Sequence, residues 1–374
     1  VKKNVLTYTV LAAIAVFVCG CSGITRLTDA IVSPDARKVY LRDLSDEKRR
    51  VSWQAAYESA FSDSLSVPLP YGEKGRFQPE LDVVYSYNVG LEEGQVLQVE
   101  IAQENTAQRL FIDILQSDGN TYRSLAKSQP GATKLEAAAV FSGIFKVIVQ
   151  AEAGATGNFF ISLNKKPMYA FPVAGKGNAA IQSFWGAVRD GGKRSHEGVD
   201  IFAKKGTPVI AVSDGTITRA GEYGIGGKQV WLRTSIFGKS IYYAHLDKIA
   251  VESGNSVKTG DTVGFVGNTG NAKGGAHHLH FGIYSAMGAV NPLPFIFRTQ
   301  EIGQQDYARR FDTTALRIRE ARATLRLGPA TSFEKIGEAA PGQTVTLLGQ
   351  HNAWLHVRTI SGVRAFVHAS LVKV

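Results

Sequence analysis

Five of the eight histidines in this 374-residue chain fall between Gly192 and Tyr284. They stand in Ser195-His196-Glu197-Gly198-Val199-Asp200, in Tyr243-Ala244-His245-Leu246 and in His277-His278-Leu279-His280-Phe281. Imidazole nitrogens and carboxylates are the ligands of a catalytic zinc, which takes three of them at about 2.0–2.2 Å and leaves a fourth position to water. His196, Asp200 and one histidine of the last cluster meet that count. Side chains alternate faces along a strand, so His278 and His280 point the same way, about 6.6 Å apart. One can hold a metal while the other reaches its water. By the same alternation His277 points away from the metal face.

Taken together, these clusters resemble the lysostaphin-type (LytM) zinc endopeptidases, which cut the peptides of peptidoglycan. The sequence between them agrees in order: Gly206-Thr207-Pro208-Val209-Ile210-Ala211, Asp214-Gly215, and the run from Gly260 to Gly270. The resemblance implies one Zn2+ per chain held by His196, Asp200 and His280, with His245 and His278 as the catalytic pair and a zinc-bound water as nucleophile. It departs from the family at one position, where His277 replaces the usual proline before His-x-His. The rival reading is a non-catalytic peptidoglycan-binding regulator or activator that works through cell-wall regulatory partners. Such relatives lack one or more of the five positions, and this chain has all five. A biotinyl carrier turn at Gly254–Gly260 is a poor fit, because Met168 and Met287 lie far from its lysine.

The chain ahead of this region reads as an export signal. Lys2 and Lys3 precede an apolar run from Val5 to Val18, too short for a confident membrane span. Val18-Cys19-Gly20-Cys21 resembles a bacterial lipobox, which implies a signal peptide over 1–20, a lipid on Cys21 and a membrane anchor in the cell envelope. Ser22 is not the aspartate that retains lipoproteins at the inner membrane, which favours the periplasmic face of the outer membrane. Both cysteines sit in this segment, so no disulfide framework exists and the domains must rest on apolar cores. The formal net charge of +10 becomes 10 − 2 = +8 once Lys2 and Lys3 leave, and the basic residues are scattered. No zinc-finger, helix-turn-helix or RNA-binding signature is present, so no nucleic acid partner is expected.

The expected fold is mainly β and multidomain: a short N-terminal helix, a β-sandwich, an antiparallel β peptidase domain and a small C-terminal SH3-like barrel. Within the lipidated segment 21–75, Trp53, Tyr57, Phe61 and Leu65 recur every fourth residue and predict one helical stripe over 45–65. Residues 76–165 carry alternating runs such as Leu97-x-Val99-x-Ile101, broken by Asp118-Gly119 and by glycines from Gly154 to Gly157. That region is similar to pre-peptidase C-terminal domains and offers no catalytic cluster. Residues 170–300 form the peptidase domain. Residues 313–374 resemble bacterial SH3-like domains, but Ala365-Phe366-Val367 stands where Gly-Trp-Val is usual, which puts the usual wall contact in question. His351, His356 and His368 lack ligand-like companions and read as surface or structural residues.

Overall fold

A computed structural model describes residues 35–81, 83–234, 238–303, 314–319 and 322–374. The signal segment and Cys21 lie outside the described residues. Two helices come first, Ala36–Asp43 and Glu47–Ser59. Asp46 caps the second by accepting the Arg49 N–H at 3.1 Å, and Tyr40 packs on Trp53 with ring centroids 4.9 Å apart. The second helix is shorter than the apolar stripe predicts. Its end lies in Ser59-Ala60-Phe61-Ser62-Asp63-Ser64, where short polar side chains bond the nearby backbone instead of supporting another turn. The Ser62 hydroxyl donates to Ser59 O at 3.0 Å, and Asp63 accepts the Leu65 N–H at 3.1 Å. Leu65 therefore joins the core of the sandwich, and Phe61 stays 36% exposed.

The sandwich opposes a four-stranded sheet, ordered Val84–Leu91, Gly143–Ala151, Leu110–Ser117 and Tyr122–Lys127, to a second sheet built on Tyr71–Phe77, Gly157–Pro167, Gln95–Gln103 and Lys134–Ala138. Period-two alternation fills the space between them, with Leu97, Val99 and Ile101 from one sheet meeting Tyr87, Ile112 and Val147 from the other. The strand Tyr71–Phe77 begins before residue 76 and is shared. One edge pairs with Gly157–Pro167, and the other pairs with Thr344–His351 of the C-terminal barrel through Lys74↔Gln350 and Gly75↔Gly349. A Cβ on Gly349 would lie 1.9 Å from a Glu73 carboxylate oxygen, so the two sheets merge only because that position has no side chain.

The region 170–300 is built on an eight-stranded antiparallel sheet, with a separate three-stranded sheet of Pro208–Ile210, Thr262–Val266 and Leu246–Ile249. Its central strands are Gly227–Thr234, Ser240–Ala244, His278–Ser285 and Val199–Phe202, side by side in that order. Val230, Leu232, Ile241, Tyr243, Leu279, Phe281 and Ile283 are fully buried on one face. The alternate residues Tyr242, His278, His280 and Tyr284 are left for the other face, which is the floor of a cleft.

Candidate metal and catalytic site

Strand register brings two of the proposed ligands together. Asp200 lies directly opposite His280, and directly opposed residues of antiparallel strands present their side chains on the same face. His196 arrives from the turn before the strand Val199–Phe202, its backbone N–H held by Ala187 O at 2.9 Å. The three donor atoms form a nearly regular triangle: His196 Nε2 to Asp200 Oδ1 is 3.0 Å, His196 Nε2 to His280 Nδ1 is 3.0 Å, and His280 Nδ1 to Asp200 Oδ1 is 3.1 Å. His196 and Asp200 are buried.

The tautomer of His196 says what this triangle is for. Its Nδ1 lies 2.9 Å from Phe184 O, an acceptor only, so Nδ1 carries a proton, and in the Nδ1–H tautomer Nε2 turns a lone pair toward Asp200 and His280. Acceptor facing carboxylate at 3.0 Å is repulsive unless a cation sits among the donors. Two imidazole nitrogens and one carboxylate oxygen are the ligand set of a catalytic zinc. The second carboxylate oxygen is also committed, because Arg189 Nη2 donates to Asp200 Oδ2 at 2.7 Å and to Ser183 Oγ at 2.6 Å. One oxygen of Asp200 thus faces the triangle and the other is pinned away from it.

His280 keeps its place because Gly198 has no side chain. A Cβ there would come within 2.6 Å of His280 Cε1 and 2.8 Å of Nε2. The glycine between His196 and Asp200 is therefore the seat of His280.

His245 and His278 stand beside the triangle and share one orientation. His278 directs Nδ1 at Ala276 O at 2.9 Å, and His245 directs Nδ1 at Thr269 O at 2.8 Å. Both rings therefore protonate Nδ1, and Nε2 is left as an acceptor. His278 Nε2 lies 4.0 Å from Asp200 Oδ1, the ring stacks on Phe202 at 5.1 Å, and the two histidine rings are 5.1 Å apart. His245 adopts φ 60°, a left-handed conformation uncommon for a residue with a side chain. Its N–H is held by Gly226 O at 2.9 Å, and two glycine loops meet beneath it, where a Cβ on Gly227 would lie 2.4 Å from Gly270 N. Burial and the neighbouring His278 and His280 lower the His245 pKa to about 4, so the ring is neutral at pH 7. Neutral, with Nδ1–H engaged, His245 can accept a proton or orient water. Donation from Nε2 to an oxyanion does not suit this tautomer.

These five residues line one cleft of about 600 Å3, together with Arg189, Lys193, Tyr242 and Tyr284. His277 precedes the strand and is not among the lining residues. Arg189 and the Phe184 and Thr269 carbonyls are site groups that sequence spacing misses. A carbonyl leaves no residue-type signal, and Arg189 belongs to no spaced pattern.

Comparison with known proteins finds two domain families in the chain. Residues 194–292 match Peptidase family M23, and residues 321–373 match the bacterial SH3 domain. The L-Ala--D-Glu endopeptidase of Bacillus subtilis is 35% identical over 140 residues, which cover 34% of this chain and 43% of that protein. The DD-carboxypeptidase/endopeptidase Mpg of Neisseria meningitidis is 40% identical over 115 residues, covering 31% and 26%. Among solved structures, the catalytic domain of lysostaphin from Staphylococcus simulans shares 37% identity, with 30% of this chain and 89% of that one covered and a TM-score of 0.28. The chain spans less than half the length of the curated relatives named here.

Proposed function

We propose that this chain, whose residues 194–292 are a domain of peptidase family M23, is a zinc-dependent endopeptidase that hydrolyses stem peptides or peptide cross-links of peptidoglycan. One observation carries the reading: a triangle of possible ligand atoms with 3.0–3.1 Å edges opens into the same cleft as two further histidines whose Nδ1 atoms are turned to carbonyls, leaving Nε2 to accept a proton. The ligand set His196, Asp200 and His280 fits zinc. When bound, zinc supplies a Lewis acid for the scissile carbonyl and brings the pKa of water to roughly 7.

The chain's own groups do the rest. His278 Nε2 takes a proton from the attacking water and returns it to the leaving amine, as a general base and then a general acid. His245 Nε2 accepts a hydrogen bond from the same water and fixes its direction. Arg189 keeps Asp200 turned so that one oxygen alone faces the metal position. The presence of all five site residues favours catalysis over a purely regulatory role. Digestion of purified cross-linked peptidoglycan, with mass analysis of the released muropeptides, tests the reading: cleaved stem or cross-bridge peptides that vanish under chelation support it, and intact cross-links argue for a non-catalytic binder.

Attachment is part of the same proposal. Cys21 carries lipid and anchors the peptidase to the periplasmic face of the outer membrane, a reading supported by the apolar run before Val18-Cys19-Gly20-Cys21. More than one acyl chain makes such anchoring stable. Cys21→Ser should release the protein from the detergent phase, and unchanged partitioning would count against the anchor.

A further inference from the structure

The cleft floor does not stop at the metal ligands. Along the strand His278–Ser285 one face reads His278, His280, Gly282 and Tyr284, and beside Gly282 it broadens across the neighbouring strands into a shelf of three aromatic rings. Trp231 and Tyr242 lie directly opposite each other on neighbouring strands with ring centroids 4.5 Å apart. Tyr284 closes the group at 5.2 Å from Trp231 and 6.4 Å from Tyr242. All three are half-buried, although the sheet has a filled core on its other face. Tyr242 also meets His280 edge-on at 5.7 Å, so the shelf is continuous with the metal site. Gly282, paired with Tyr242, lets the two tyrosines close over it, since a Cβ there would lie 3.1 Å from the Tyr284 ring.

Backbone pairing decides what such a shelf can take. An extended peptide is usually bound by adding a strand to a free sheet edge. No edge is available here. Trp231 pairs with Arg219 on one side and Tyr242 on the other, Tyr242 pairs onward with Gly282, and Tyr284 pairs with Ser240 and Ala289. Recognition must come from ring faces and from the polar tips of the tyrosines and the indole. Flat apolar faces with neutral polar rims match a pyranose ring, which has an apolar C–H face and hydroxyls around its edge.

We infer that Trp231, Tyr242 and Tyr284 form a subsite for a pyranose ring of the amino-sugar strand to which the substrate peptide is attached. This rests on the peptidoglycan reading above and adds that the cleft binds glycan as well as peptide. It would make the enzyme prefer peptides that still carry their sugars.

The test compares cross-linked muropeptides bearing their disaccharide with the same peptides after an amidase has removed it. Wild type should show the higher kcat/KM on the sugar-bearing substrate, and Trp231→Leu should reduce that preference about fivefold through KM, the scale of one aromatic contact. A preference that is absent in wild type, or intact in the variant, overturns the subsite. If wild type cleaves neither substrate the peptidase reading fails, and the subsite is then judged alone by titrating tetra-N-acetylglucosamine and following the Trp231 indole N–H by NMR. A shift that is lost in Tyr284→Leu supports it, and an unmoved signal overturns it.

Discussion

Gly198 shows how tightly the site is specified at the scale of a residue. It lies between two ligands and under the third, and a single added methyl group would meet both His280 Cε1 and the Phe281 carbonyl, the latter at 2.7 Å. Overpacking of this kind costs about 1–3 kcal/mol where the neighbours must move. Gly198→Ala should displace His280 and weaken zinc binding at least about tenfold, read by competition with a chromogenic chelator. Native affinity in that variant would show that His280 is not seated as described. The residues that the structure brings together could be picked out in the sequence because two pairs are local: His196 and Asp200 four apart, His278 and His280 two apart on one strand face. Residue types could not show which nitrogen each ring offers. That choice is made by the carbonyls of Phe184, Ala276 and Thr269.

At the scale of elements, the segment between Ser183 and His196 acts as a clamp on two of the proposed ligands. It supplies the Phe184 carbonyl that orients His196, and Arg189, which ties Asp200 to Ser183. Removing a partner that orients a ligand typically costs about 10–100-fold in metal affinity. Arg189→Met should therefore fall in that range by chelator competition, with Arg189→Lys recovering part of the loss. Equal zinc affinity in all three proteins would reduce Arg189 to a surface residue. The helix over 45–65 was the element least well read from sequence. Its four-residue apolar period continued through Phe61 and Leu65, but the serines and Asp63 that follow Ser59 bond the backbone locally, and Leu65 is drawn into the sandwich.

At the scale of the whole molecule, the C-terminal barrel is bound into the sandwich. Glu73, fully buried on the shared strand, accepts the Tyr87 hydroxyl at 2.8 Å and the Tyr71 hydroxyl, and His356 of the barrel meets it at 3.0 Å. Phe366, which stands at the position of the usual wall-contact tryptophan, is fully buried and stacks on His356 at 5.2 Å. It packs in the sandwich core and is closed to a wall polymer. The sequence gives His356 a surface or structural role but not its partner, which lies 283 residues away. Burial alone would raise the pKa of Glu73, yet the charge and hydrogen bond of His356 and the tyrosine hydroxyls hold it below the ordinary value. A depressed carboxyl pKa stabilises the fold above the unfolded value, and that contribution fades as pH falls toward the folded one. His356→Leu would strand a buried carboxylate, so a loss of about 3–5 kcal/mol is expected in urea unfolding at pH 7. A loss below about 1 kcal/mol would mean that the pair does not hold the two domains together.

The central claim is a division of labour among five side chains, with His196, Asp200 and His280 holding the metal while His245 and His278 act on water and leaving group. It is tested most directly by measuring bound zinc and turnover of a cross-linked stem peptide side by side in His280→Ala, His245→Ala and His278→Ala. The expected result is that His280→Ala loses zinc and activity together, whereas the other two keep stoichiometric zinc and lose at least about a hundredfold in rate. Full zinc in His280→Ala, or near-normal turnover or lost zinc in either of the others, would contradict the assignment.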